Sequence, residues 1–284
     1  MSATGEPVSN WKVRQGALRP VFVCRLDEPQ YEHNVLPVMK SISRLLPAFL
    51  LIWLSVICPC HAAPRQVALE LVLAVDTSTS VDAQEFELQR KGLADAFIDK
   101  DVIAAIEAFG DLGIAVCVVE WAGTKQQSTV VDWAFVGSTS DAFLLSRKIQ
   151  SSPRAIYGMT DIGSVLDYSA NSIQRNDFEG FRKVIDVSGD GVSNSAKTSV
   201  ASDRVIGQGI TVNGLVIFNE EYDLGELADV ELVNHYKTSV IGGPGAFLME
   251  AQNFDDFARA IRQKLLKEIA GPATASLGQS AIDQ

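Results

Sequence analysis

Three short stretches hold the residues best suited to chemistry. Asp76-Thr77-Ser78-Thr79-Ser80 follows an apolar run, Gly158-Met159-Thr160-Asp161 precedes a helical pattern, and Ser188-Gly189-Asp190-Gly191 follows a second apolar run. Together they offer carboxylate and hydroxyl oxygens, with neither thiol nor imidazole. That inventory suits a hard divalent cation such as Mg2+, which takes oxygen ligands in octahedral geometry at about 2.0–2.1 Å. Mn2+ and Ca2+ accept the same donor types, so ligand chemistry does not choose among the three. Alternate residues of an extended segment point to one side, so Asp76, Ser78 and Ser80 can converge on one point. An ion held by so few carboxylates keeps positive character and favours an anionic oxygen from outside.

The elements that must position these stretches alternate between strand and helix. Residues 67–75 are almost continuously apolar or β-forming, as expected of a strand buried on both faces. A helix is expected over 82–108, with Phe86, Leu93 and Phe97 on one stripe. Strands over 112–121 and 128–136 flank the loop GTKQQ as a hairpin. Helices follow over 140–150 and 161–175, the second aligning Ile162, Val165, Leu166 and Ile173. A short strand at 183–187 runs into SGDG. Beyond it come a helix at 195–207, a strand at 211–218, a helix at 224–236, a strand at 246–250 and a helix at 254–269. The polar, small-residue tail 271–284 is expected to be disordered.

This alternation implies right-handed crossovers and an α/β fold: a doubly wound, mainly parallel sheet with one antiparallel edge strand. Ligands of such sheets bind beyond the carboxyl ends of the strands, where Asp76 and Asp190 both fall. The cluster Gly242-Gly243-Pro244-Gly245 reads as a flexible loop near that same edge. Trp121 and Trp133 are expected to pack in the core or along the sheet edge.

DTSTS, the GMT before a helix and the GDG after a strand together resemble the metal-ion-dependent adhesion site of von Willebrand factor type A domains. The order and spacing of elements over residues 67–269 fit as well, and the chain is similar to a bacterial exported family of such domains whose function is uncharacterised. The resemblance implies that Ser78, Ser80 and Thr160 supply hydroxyls to the cation while Asp76 and Asp190 act largely through water. It also implies that the remaining position takes a carboxylate from a protein partner. One departure stands out: the hydroxyl residue usual before the last aspartate is Gly189, and Asp186 adds an acid inside the strand. Asp190 is preferred to Asp186 as the ligand.

Competing readings carry less. Asp82 and Glu85 form the pattern of a helix capping box, but Asp76 lies too early to share it. DVSGDG imitates the start of an EF-hand, yet Lys197 occupies the position where calcium needs a bidentate Glu. Asp76 resembles the nucleophile of haloacid-dehalogenase-type phosphatases, but Ser78 stands where their second acid belongs. A serine hydrolase would depend on His235, and no G-x-S-x-G is present. The reading is therefore a metal-dependent protein-binding module without catalytic activity, with a metal-independent scaffold as the alternative.

The front of the chain reads as a targeting segment. Basic MKSISR, the apolar run LLPAFLLIWLSVIC and the small-residue exit PCHAAP make a secretory signal over 39–62, followed by one domain over 63–270. The run is short for a membrane span, which needs about 20 residues. Translation is expected to begin at Met39, with 1–38 as a non-native extension. The product is expected to be periplasmic or secreted, with no stable membrane insertion once the signal is cleaved. Downstream of the signal Cys117 is the only cysteine, so no internal disulfide is expected and the core alone must hold the fold. A formal net charge of −11 argues against nucleic acid as a partner.

Overall fold

The computed structural model describes residues 63–219 and 226–271. The expected extension (1–38), the signal peptide (39–62), the first two residues of the helix expected from 224 and the tail beyond Gly271 lie outside the described residues.

Six strands form one sheet: β1 (Arg65–Asp76), β2 (Ile114–Trp121), β3 (Gln127–Val136), β4 (Phe178–Gly189), β5 (Thr211–Ile217) and β6 (Leu248–Ala251). Their order is β3-β2-β1-β4-β5-β6. Every pairing is parallel except β2 with β3. β1 and β2 are interior strands covered on both faces, which is why they read as nearly unbroken apolar runs with no alternation. Seven α-helices among the described residues cover the two faces: α1 (Ala83–Phe97), α2 (Lys100–Glu107), α3 (Thr139–Ser151), α4 (Ile162–Ile173), α5 (Ser195–Ile206), α6 (Glu226–His235) and α7 (Phe257–Ala270).

Alternation along β1 divides the core. Leu69, Leu71 and Leu73 pack with α1, α2, α3 and α7. Val72 and Ala74 pack with α4, α5, α6 and the π-helical turn Tyr236–Val240 that continues α6. Trp121 is fully buried in the second cluster and Trp133 packs partly buried against it. Cys117 is a free, buried thiol, and burial pushes its pKa up to about 12.

Three expectations need correction. The helix expected over 82–108 is two helices, because Asp99 accepts the backbone N–H groups of Asp101 and Val102 and so caps a new start. The strand expected at 183–187 is longer, reaching back to Phe178, whose partner across the ladder is Arg65. The glycine cluster lies at the opposite edge of the sheet from the one expected. Gly242 bridges Val212 near the start of β5, so 242–245 forms a turn at the amino edge, with positive φ at Gly243 and Gly245.

Asp186 is also placed away from the candidate ligands. It sits on the α7 face of β4, in register with Leu73 and Asn213, with Lys264 Nζ 2.7 Å from its Oδ1. Lys264 Nζ donates to Glu268 Oε1 at 2.6 Å, and Asn213 Nδ2 donates to the same oxygen at 3.1 Å. Arg182 donates to the last carbonyls of α7, those of Glu268 and Ile269, at 2.9 Å each. These polar contacts fix the terminal helix onto β4 and β5.

Candidate metal centre

The first loop turns because Asp76 ends β1 and takes the backbone N–H of Ser78 on its Oδ1 at 2.8 Å. Ser78 Oγ then meets Ser80 Oγ at 3.0 Å. Ser80 Oγ donates to Asp190 Oδ1 at 2.7 Å, joining the ends of β1 and β4. Asp190 Oδ2 accepts from Asn219 Nδ2 at 3.2 Å. Thr160 lines the same cavity, of about 300 Å3, as Ser80 and Asp190. The second loop is tied to the first by Thr79 N–H donating to Gly158 O at 2.8 Å. Asp161 instead turns to cap α4, accepting from Ser164 N–H at 3.1 Å. Asp76, Ser78, Ser80, Thr160 and Asp190 thus gather at the carboxyl edge of the sheet.

The electrostatics of this cluster bear on whether a cation fits. Asp76 is fully buried and its Oδ2 has no hydrogen-bond partner. Burial first, and the charge of Asp190 second, push the Asp76 carboxyl up to about 8. Asp190 is also raised, chiefly by burial, against the hydrogen bonds from Ser80 and Asn219. Two buried acids with raised pKa values, one of them with an orphaned oxygen, are what a divalent cation would stabilise. No group of three or more His, Cys, Asp or Glu converges among the described residues; this cluster has two carboxylates, and its other donors are hydroxyls.

Gly189, the departure from the motif, has a steric reason. A Cβ there would stand 2.7 Å from Asp76 Oδ2, 2.8 Å from the Tyr236 hydroxyl and 3.2 Å from Trp121 Cζ2. The two bulky aromatics behind Asp76 occupy the room that a hydroxyl-bearing side chain would need.

The sequence pattern missed three supporting groups. Arg154 Nη2 donates to the carbonyls of Thr77, Ser78 and Val81 at 2.8, 3.0 and 2.9 Å, clamping the first loop from outside. Its own segment is held by buried Glu120, whose Oε2 accepts Ala155 N–H at 2.6 Å and Ile156 N–H at 3.2 Å. Asn219, just past β5, bridges the first and third loops through Ser80 O and Asp190 Oδ2. The only signal for Asn219 was its place beyond a strand at the carboxyl edge; Arg154 and Glu120 carried none, being far apart in sequence.

Arg154→Ala removes the guanidinium donor from three carbonyls, of which Ser78 O still accepts the Val81 N–H. It should destabilise the fold by about 1–3 kcal/mol and weaken cation binding together, in thermal melts and titrations run side by side. Arg154→Lys should recover little, because an ammonium lacks the planar fork. Unchanged cation affinity in both variants would remove Arg154 from this role.

His235 is the one histidine among the described residues. Its Nε2 accepts Ser193 N–H at 3.4 Å, which leaves Nδ1 as the proton-bearing donor toward Ser195 Oγ at 3.1 Å. In that tautomer the imidazole cannot take the Ser195 proton, so the pair is not arranged as a nucleophile and its base. Burial lowers the His235 pKa, against the nearby charge of Glu231. A folded pKa below the unfolded value gives stability that is full above about 6.5 and is lost as pH falls through the folded value. The difference in melting temperature between wild type and His235→Gln should therefore change between pH 7 and pH 5, with wild type losing ground in acid. A pH-independent difference would contradict this.

The pilus adhesin SpaC from Lactobacillus rhamnosus GG shares the fold with a TM-score of 0.52 at 14% identity, over 72% of this chain and 31% of that one. Proximal thread matrix protein 1 from the mussel byssus matches at 17% identity over 73% of this chain and 47% of its own, with a TM-score of 0.49. A structure of that mussel protein has a zinc-occupied MIDAS motif. An aerotolerance-related membrane protein from Bacteroides fragilis NCTC 9343 matches at 21% identity over 70% of this chain and 98% of that one, with a TM-score of 0.44. The chain spans less than half of the mussel protein and under a third of the adhesin.

The sheet, its helical layers and the likeness to the adhesin define a von Willebrand factor type A-like fold. The chain belongs to the family described as "Protein of unknown function (DUF1194)", which matches residues 66–273. None of the curated proteins matches it. Among the described residues, no helix is long and apolar enough to cross a membrane.

Proposed function

We propose that the carboxyl edge of the sheet binds one divalent cation, Mg2+ with Mn2+ or Ca2+ as alternatives, and through it the carboxylate of a protein partner. Asp76, Ser78, Ser80, Thr160 and Asp190 would hold the ion, the hydroxyls directly and the two aspartates largely through water. The observation that carries this reading is the orphaned, buried Asp76 Oδ2 beside a second crowded acid. The protein would act after export, in the periplasm or outside the cell, as the basic, apolar and small-residue segments over 39–62 suggest. Adhesion is the work named for SpaC, and the shared fold makes a comparable binding role reasonable here.

A metal-independent scaffold is the second reading. The direct Ser80–Asp190 hydrogen bond favours it, because that bond closes the loops without an ion. Retention of the protein on immobilised Asp-bearing peptides, measured in Mg2+ and again after chelation, separates the two. Retention lost on chelation supports cation-mediated docking, and chelator-insensitive retention supports the scaffold.

A further inference from the structure

The surroundings of the cavity are uneven in a way that describes a partner. Of ten large apolar side chains exposed among the described residues, five lie on the elements that frame it. Tyr157 precedes the second loop and Met159 lies in it, 61% and 76% exposed, and Val192 follows the third. Leu227 and Val230 stand on α6, the helix that forms the far wall. Surface apolar groups scattered singly need no explanation, but a cluster around a polar cavity marks an interaction site. The wall toward α6 is apolar at Val192 and Leu232 and acidic at Asp229 and Glu231, which are exposed.

We propose that this surface selects a protein segment whose single carboxylate is flanked by apolar and basic side chains, and that it rejects runs of acids. The inference rests on the cation-binding reading above. The carboxylate completes the ion's shell, the apolar neighbours cover Tyr157, Met159 and Val192, and a Lys or Arg faces Asp229 and Glu231. Charge complementarity decides the occupant: the charged side chains that line the cavity, Asp190, Asp229 and Glu231, are all acids, on a chain of net charge −11, so a second acid in the partner meets repulsion there. A nucleic acid is disfavoured for the same reason.

The test uses short synthetic peptides with a central Asp, or Asn as control, and with Leu and Lys or else Glu as neighbours. Binding to the full chain is measured in Mn2+ and in chelator, with Mn2+ affinity measured in parallel by calorimetry. The Leu- and Lys-flanked Asp peptide should bind roughly tenfold more tightly than the Glu-flanked one, the sum of two exposed charge contacts changing sign. Met159→Ser should weaken that peptide by roughly tenfold through lost apolar contact, and Asp229→Asn with Glu231→Gln should erase the preference for Lys. Neither change should alter Mn2+ affinity by more than about threefold, since these groups are exposed and screened.

Cation-dependent capture that ignores the flanking residues and both variants would overturn the inference and leave the cation reading standing. Mn2+ binding with no capture of any Asp peptide would overturn the inference and the carboxylate-docking step together. Absence of Mn2+ binding would overturn the reading on which both depend.

Discussion

Lys264→Met should destabilise the protein by about 3–5 kcal/mol, the cost of leaving a buried countercharge without its partner. Lys264 is fully buried with Asp186 and Glu268, one base between two acids. Its approach to Asp186 is ionic, without hydrogen-bond alignment, whereas Glu268 receives aligned donors from both Lys264 and Asn213. Burial, followed by the charge of Glu268, pushes Asp186 up to about 7 in spite of Lys264. Removing the ammonium leaves two acids that must be neutralised or desolvated unpaired.

The sign of the pH effect follows from that raised pKa. A group whose folded pKa is above its unfolded value contributes stability at low pH and loses it as pH rises through the folded value. The deficit of Lys264→Met should therefore be largest above pH 7 and shrink as pH falls below it, where Asp186 is protonated. Asp186→Asn is the control: it leaves one base facing one acid and should lie within about 1 kcal/mol of wild type. A melting temperature for Lys264→Met equal to wild type at pH 8 would show that α7 does not depend on this cluster.

Asp76→Ala should abolish cation-induced stabilisation. A ligand that binds only the folded state stabilises it by about 2.7 kcal/mol at a hundred times its dissociation constant. For a domain of this size that is a rise of roughly 5–10 °C in melting temperature. The variant also loses a buried carboxylate that burial and Asp190 hold in an unfavourable state, so without added cation it should melt no lower than wild type by more than the contact with Ser78 N–H is worth, about 1 kcal/mol. Asp76→Asn keeps an acceptor for Ser78 and should behave the same way toward the cation. A cation-dependent rise that survives in both variants would move the site elsewhere.

The gathering of the site was legible in the sequence because strand order and strand ends are written in local pattern. The run ending at Asp76 is apolar without alternation, which marks a central parallel strand, the short VIDV run leads to the loop that holds Asp190, and ligands of such sheets sit beyond the carboxyl ends of the strands. The hairpin was equally plain, with GTKQQ between two β-rich runs. What failed was geometry that depends on distant partners. Asp99 divides a helix because its carboxylate competes for two backbone donors, and apolar spacing across 97–102 conceals the break. Gly242–Gly245 was assigned to the wrong edge, although parallel β6 requires the chain to return to the amino edge before it starts. Arg154 and Glu120 become intelligible only when β2, the 153–157 segment and the first loop meet. Gly189 was legible as a departure, but its cause, the Trp121 and Tyr236 side chains behind Asp76, was not.

The most direct test is calorimetric titration of the purified protein with Mg2+ and with Mn2+, beside Asp76→Ala. The account predicts saturable binding of one ion to the wild-type chain and none to the variant. Absence of binding by wild type, or equal binding by both proteins, would contradict it.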